Sequence, residues 1–214
     1  MTEAVLCPLC SSARSEKLST TGSRRYYLCQ HCQLIFLDSK QHPLPGEESS
    51  RYLEHHNSPE EDGYVQFLYK AIGPMLAYLH PYMQGLDYGC GHTPVLSQLI
   101  VRHHRMNCHA YDPFFFPDLP YQPFDYVFST ETFEHFFTPA HAIDHIVRHM
   151  KRGAYLCIMT QLRKKVEAFD RWWYRRDPTH VCFYHRQTVA YIAKHWSMKI
   201  LYEDGSSVFV LQKC

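Results

Sequence analysis

The sequence predicts an α/β fold: a doubly wound, mostly parallel sheet preceded by a small cysteine-rich unit. Three observations carry this. From about residue 64, apolar runs of strand length alternate with amphipathic helical stretches, the pattern of helices laid on both faces of a parallel sheet. The first strand of that part runs into "LDYGCGH" (86–92), an acid followed by two glycines around a cysteine. Ahead of it, the first 40 residues hold two Cys-x-x-Cys pairs, Cys7/Cys10 and Cys29/Cys32, with 18 residues between them.

Taken in order, the cysteine pairs come first. Each places two thiolates at one turn, and two such knuckles complete a tetrahedron around Zn²⁺. A closed four-cysteine shell is structural, so residues 1–40 are expected to be a zinc ribbon, with His31 a bystander inside the second knuckle. "QHPLPGEESS" (41–50) is rich in Pro, Gly and Ser and reads as a connector within a linker over 41–63.

The body, 64–214, opens with apolar residues at helical spacing in "YVQFLYKAIGPMLAYL", followed by "GLDY" as a short buried strand. "TPVLSQLIVRHH" reads as a helix with Thr93 as N-cap and Pro94 at its first position. "MNCHAYD" (106–112) and "FDYVFST" (124–130) read as the next strands. "TPAHAIDHIVRHMKRG" repeats the Thr-Pro opening at Thr138 and Pro139, with Gly153 as its stop. "AYLCIMT" is a buried strand, "RQTVAYIAKHW" an amphipathic helix, and "MKILYED" and "SVFVLQK" close the chain as two strands around a Gly-Ser turn.

Composition sets the outer limits. The formal net charge of +1 gives no global field for a polyanion or a membrane surface, and 45% hydrophobic with 20% charged residues is ordinary for a folded domain. No apolar run approaches membrane-spanning length and no leader pattern follows Met1, so no membrane partner and a cytoplasmic location are expected. In that setting the nine cysteines are read as reduced thiols or metal ligands.

In such a sheet, ligands bind outside the carboxyl ends of the strands. Gly89 and Gly91 let the backbone turn sharply there, and Asp112 follows Asp87 by 25 residues, near the offset at which an acid accepts from ribose hydroxyls. The set describes an adenosine-type ligand. A dinucleotide site wants a third glycine, which argues against a nicotinamide-dependent oxidoreductase.

The order of "LDYGCGH", "YDP" and "FDYVFSTETFEHF" resembles that of class I S-adenosylmethionine-dependent methyltransferases over about residues 64–212, and "LCQHCQLIFLD" resembles the head of bacterial members with a four-cysteine ribbon. The resemblance implies a Rossmann-like fold with S-adenosylmethionine as cofactor. It further implies that Gly89 and Gly91, together with Asp87 and Cys90 of the same turn, pass beside the methionine part. Asp112 would hold the ribose, Thr130 and Glu131 would lie beside the ligand, and "FDYVFST" would be the fourth strand.

Methyl transfer from a sulfonium is an in-line substitution, so the protein mainly aligns donor and acceptor, and a hydroxyl acceptor also needs a base or an acidifying metal. "ETFEH" supplies Glu131, Glu134 and His135, and "RRDPTHVCFYH" supplies His180. Their order resembles the metal site of small-RNA 3′-terminal 2′-O-methyltransferases and, in part, the ubiquinone-pathway O-methyltransferases. That implies a divalent ion, Mg²⁺ or Mn²⁺, on Glu131, Glu134, His135 and His180, with His135 and His180 as the catalytic candidates. The plain alternative is a solvated turn and a loop histidine. "RKKVEAFDRWWYRRDP" (163–178) interleaves bases with aromatics and reads either as a lid that clamps an acceptor or as an amphipathic helix. The acceptor stays open among a sugar, a small phenol and RNA. The rival reading is an RNA-binding module in which ribbon and insertion bind nucleic acid and the sheet domain is inert.

Overall fold

The structure is a computed structural model that describes residues 5–54 and 57–214. The chain forms β1 (Ser15–Lys17), β2 (Tyr26–Cys29), β3 (Ile35–Leu37), α1 (Pro45–Leu53) and α2 (Asp62–Leu76). There follow β4 (Gln84–Tyr88), α3 (Val95–His104), β5 (Asn107–Tyr111), β6 (Phe124–Thr130), α4 (Pro139–Arg148) and β7 (Met150–Met159). β8 (Cys182–Phe183), α5 (Arg186–His195), β9 (Met198–Glu203) and β10 (Val208–Lys213) complete it.

The main sheet has the order β5-β4-β6-β7-β10-β9, with β5, β4, β6 and β7 parallel and β10 antiparallel to both its neighbours. Side chains alternate between its faces with the two-residue period of a pleat. Leu86, Val127, Leu156, Ile158, Phe209 and Leu211 join the core on the side of α4, α5 and the ribbon. Tyr126, Phe128, Cys157, Met159, Val208 and Val210 join the core beneath α2 and α3. Both faces are therefore covered, which is why these strands read as continuous apolar runs.

Several expectations shift. Helix α3 begins at Val95, not at Pro94, and Thr93 does not cap it. The N–H of Ser97 in its first turn donates instead to Asp87 Oδ2 at 3.2 Å, so an acid of the neighbouring strand does a cap's work. Gly153 is not a helix stop. Helix α4 ends at Arg148, and Gly153, at φ +80°, lies inside β7 where the register against β6 slips between Phe124 and Tyr126. The segment read as a connector carries α1. The strand that the resemblance makes the fourth is the third strand of this sheet. Residues 112–123 carry Pro113, Pro117, Pro120 and Pro123 and cross directly from β5 to β6, apart from one bridge between Asp112 and Phe116.

The ribbon sheet has the order β1-β2-β3-β8, so its last strand comes from near the end of the chain. The insertion at 163–178 is not an amphipathic α-helix; it forms two 3-10 turns, Phe169–Arg171 and Trp173–Arg176. Its buried aromatics pack on the ribbon, Phe169 at 5.0 Å from both the Tyr26 and the Phe183 rings, and Arg175 stands over Tyr26 at 5.2 Å. The bases and aromatics of this stretch thus serve as a joint between ribbon and body.

Candidate active site

A cavity of about 650 Å³ opens at the carboxyl ends of β4, β5 and β6. Asp87, Gly89, Cys90, Gly91, Asp112, Thr130 and Glu131 all line it. Gly89 sits at φ +80°, and a Cβ there would lie 2.3 Å from Thr132 Cγ2, so both backbone and space demand glycine. Gly91, at φ +67°, faces open space and sends its N–H to Asp112 Oδ2 at 3.0 Å. Asp112 Oδ1 accepts from the N–H groups of Phe114 and Phe115 at 2.9 and 3.3 Å. One oxygen is thereby filled and the other keeps an open lone pair. Burial pushes the Asp112 carboxyl up against the pull of these three donors. Asp87, fully buried under the turn, is raised to about 7 by the same cause. Burial also raises the Cys90 thiol, which stays neutral.

Beside the cavity, one ligand atom each of Glu134, His135 and His180 lies within 4.8 Å of the others. His135 also lines the cavity; the other two stand behind it. His135 donates from Nδ1 to the Thr179 carbonyl at 3.1 Å, and His180 from Nδ1 to the Tyr174 carbonyl at 2.7 Å. Both rings therefore keep a free lone pair on Nε2, the arrangement by which backbone carbonyls orient metal-binding imidazoles. Burial lowers His135 to about 4, so this ring is neutral. Glu134 is fully buried; Oε2 accepts from Thr160 Oγ1 at 2.7 Å, while Oε1 has no partner. A buried carboxylate oxygen left alone is costly, and a cation held with the two Nε2 atoms would satisfy it. The donor set, one carboxylate and two imidazoles, suits Mn²⁺ better than Mg²⁺. Glu131 does not join this set. It stands at φ +48° and accepts from the Tyr174 hydroxyl at 3.2 Å, and burial, helped by the Glu134 charge, raises it to about 9.

A family model described as "Methyltransferase domain" matches residues 52–196. The chain belongs to this methyltransferase family. Among solved structures it is similar to an O-methyltransferase family protein of Burkholderia thailandensis, at 13% identity and TM-score 0.54, over 81% of this chain and 64% of that one. It is similar also to magnesium protoporphyrin IX methyltransferase of Synechocystis PCC 6803 with bound SAH, at 12% identity and TM-score 0.50, over 79% and 94%. A third is an S-adenosylmethionine-dependent methyltransferase of Archaeoglobus fulgidus, at 15% identity and TM-score 0.50, over 71% and 100%. At these identities the likeness is one of fold. No curated protein matches the chain.

The methyl donor of this methyltransferase is S-adenosylmethionine, and its four N-terminal cysteines are compatible with zinc. The Sγ atoms of Cys7, Cys10, Cys29 and Cys32 gather within 4.8 Å, with Cys7–Cys32 at 3.6 Å and Cys10–Cys29 at 3.5 Å. A tetrahedral shell with Zn–S about 2.3 Å sets neighbouring sulfurs about 3.8 Å apart. No described helix is long and apolar enough to cross a membrane.

Helix α1 supplies a wall of the cavity that sequence reasoning missed. Glu48 and Tyr52 line it, the Tyr52 hydroxyl donates to Glu48 Oε1 at 2.7 Å, and the Tyr52 ring lies 5.1 Å from His135 and 5.9 Å from Phe114. Their i, i+4 spacing in "PGEESSRYL" was the available signal, hidden by the Pro, Gly and Ser around it. No residue of 163–178 lines the cavity, so the lid reading of that insertion gives way to its role as a joint.

Proposed function

We propose that this methyltransferase moves the methyl group of S-adenosylmethionine to a hydroxyl of a small acceptor, assisted by a divalent cation at Glu134, His135 and His180, with a structural zinc on the four ribbon cysteines. The observation that carries the metal is the unpartnered, buried Oε1 of Glu134, whose carboxylate is grouped with two imidazoles whose Nδ1–H groups are already committed. Gly89, Cys90 and Gly91 form the turn along which the donor lies, above the buried Asp87. Asp112 Oδ2 offers its remaining lone pair to a ribose hydroxyl, and Thr130 and Glu131 bound the cavity toward His135. A bound divalent ion would acidify an acceptor hydroxyl and fix its oxygen. The protein's own work is alignment, since sulfonium and oxygen must meet in line.

The lining supports a small, unphosphorylated acceptor over RNA. Among the described lining residues there is no Lys or Arg, whereas Tyr88, Tyr111, Phe136 and Phe137 offer ring faces.

The test uses labelled donor with fractionated cell extract as the source of acceptor. Transfer is expected to stop in EDTA, to return with Mn²⁺ more fully than with Mg²⁺, and to be lost in Glu134→Ala and His180→Ala while calorimetry shows donor affinity unchanged. Asp112→Ala is expected to weaken donor binding by about 1–3 kcal/mol. Full turnover of both metal-site variants in EDTA would overturn the metal, and absence of heat on mixing with donor would overturn the donor site.

A further inference from the structure

The ribbon reaches the Glu134–His135–His180 cluster through one side chain. Arg24 stands just before β2 and extends its guanidinium across to the segment that carries His180. Nη1 donates to the carbonyls of Arg175 and Asp177, both at 3.1 Å, and Nη2 to those of Pro178 and His180 at 3.0 and 3.1 Å. One half-buried guanidinium thus holds four carbonyls within six residues, its Cζ 5.5 Å from the centre of the Tyr26 ring.

Those carbonyls adjoin the two that aim the imidazoles. Thr179 O, which holds His135, lies between the Pro178 and His180 carbonyls that Arg24 grips, and Tyr174 O, which holds His180, directly precedes the gripped Arg175 carbonyl. The segment has little regular structure, one short 3-10 turn followed by the two residues of β8. Besides Arg24 it is held by Arg51, which donates to Asp177 Oδ2 at 2.9 and 3.2 Å, and by Asp177 Oδ1, which accepts from Thr179 N–H and Oγ1. Its far end is tied to both partners at once: Leu37 N–H donates to Val181 O, and Val181 N–H donates to Glu134 O, each at 2.8 Å. The docking of the ribbon does not hang on Arg24 alone. Thr21 donates to Asp170 at 2.8 and 2.9 Å, Arg163 to Gln33 O at 2.8 Å, and β3 pairs with β8.

We propose that Arg24 is a positioning residue: through it the folded ribbon sets the direction of the free Nε2 lone pairs of His135 and His180. The inference rests on the reading that these histidines and Glu134 hold a divalent cation. It gives the ribbon a part in the chemistry without placing any ribbon atom in the cavity. Arginine is required because its planar fork reaches several acceptors together, whereas a lysine ammonium is a single point.

The experiment uses full-length, zinc-loaded protein with Arg24→Ala, Arg24→Lys and, as control, Arg25→Ala, whose side chain is exposed and pairs with Asp38 inside the ribbon. Mn²⁺ affinity is measured by electron paramagnetic resonance, donor affinity by calorimetry, zinc by metal analysis, and ring tautomers of the zinc-loaded protein without Mn²⁺ by long-range ¹H–¹⁵N spectra of the histidines. Both Arg24 variants are expected to weaken Mn²⁺ binding roughly tenfold or more, the range seen when partners of metal ligands are removed. Zinc content and donor affinity should stay at the wild-type value, and Arg25→Ala should match wild type throughout. The histidine spectra should show single Nδ1–H tautomers for His135 and His180 in wild type and mixed tautomers in Arg24→Ala. Wild-type Mn²⁺ affinity in Arg24→Lys, or unchanged tautomers in Arg24→Ala, would overturn the inference. If wild type itself binds no Mn²⁺, the metal reading fails and the tautomer comparison alone decides the role of Arg24.

Discussion

Asp87 shows how one side chain joins fold and site. It caps α3 by accepting from Ser97 N–H and lies buried beneath the turn at Gly89–Gly91, which raises its carboxyl to about 7. An acid raised on folding opposes folding as the pH climbs. Between about 4 and 7 the unfolded chain gives up a proton that the native chain keeps, so stability falls across that window. Asp87→Asn should remove this slope, with a change relative to wild type on the order of 2–4 kcal/mol between pH 4 and pH 8. Urea unfolding at both pH values checks it, and parallel slopes would refute it. Gly89 is constrained twice, by its left-handed φ and by Thr132 Cγ2 at 2.3 Å from any Cβ. Gly89→Ala should destabilise by roughly 2–4 kcal/mol. In a Thr132→Ala background the loss should shrink, since the clash part goes and the φ part remains. Equal losses in the two backgrounds would mean that Thr132 gives way freely.

At the scale of elements, the ribbon and the body share strands and core. β8 extends the ribbon sheet, and Tyr26, Ile35, Phe169, Tyr174 and Phe183 belong to one buried cluster with Leu156 and Leu211 of the main sheet. A four-residue β2 and three-residue β1 and β3 cannot order themselves, and a metal shell supplies what their small core lacks. Purified protein is expected to carry one zinc per chain. Cys29→Ser should release it, and hydrogen exchange should show protection lost in β2, β3 and β8 together, while β4 to β7 keep theirs. Absence of zinc after chelator-free purification, or β8 protection that survives the substitution, would contradict this coupling.

Over the whole molecule, features written within about ten residues of sequence were the ones that could be read. The apolar periods of β4, β6, β7, β9 and β10, the helices α2 to α5 and the paired cysteines each declare themselves locally, because burial on one or two faces imposes a period on the side chains. The glycine turn and the acid at the tip of the second body strand were legible for the same reason. The four prolines between 112 and 124 were a further local signal, since proline is poorly suited to a central strand, and the chain does cross there directly from β5 to β6. What tertiary structure alone decided are contacts between distant parts. Phe36 pairs with Cys182, Arg24 reaches carbonyls at 175–180, and Asp87 takes the place of a cap that Thr93 was expected to fill. The sequence by itself determined a doubly wound methyltransferase sheet with a cysteine ribbon ahead of it. Which oxygens are left without partners, which imidazole nitrogens stay free, and which wall α1 builds follow only from side chains brought together by packing. Hydrogen-bond satisfaction is a sum over all neighbours in space, and no window of sequence contains them.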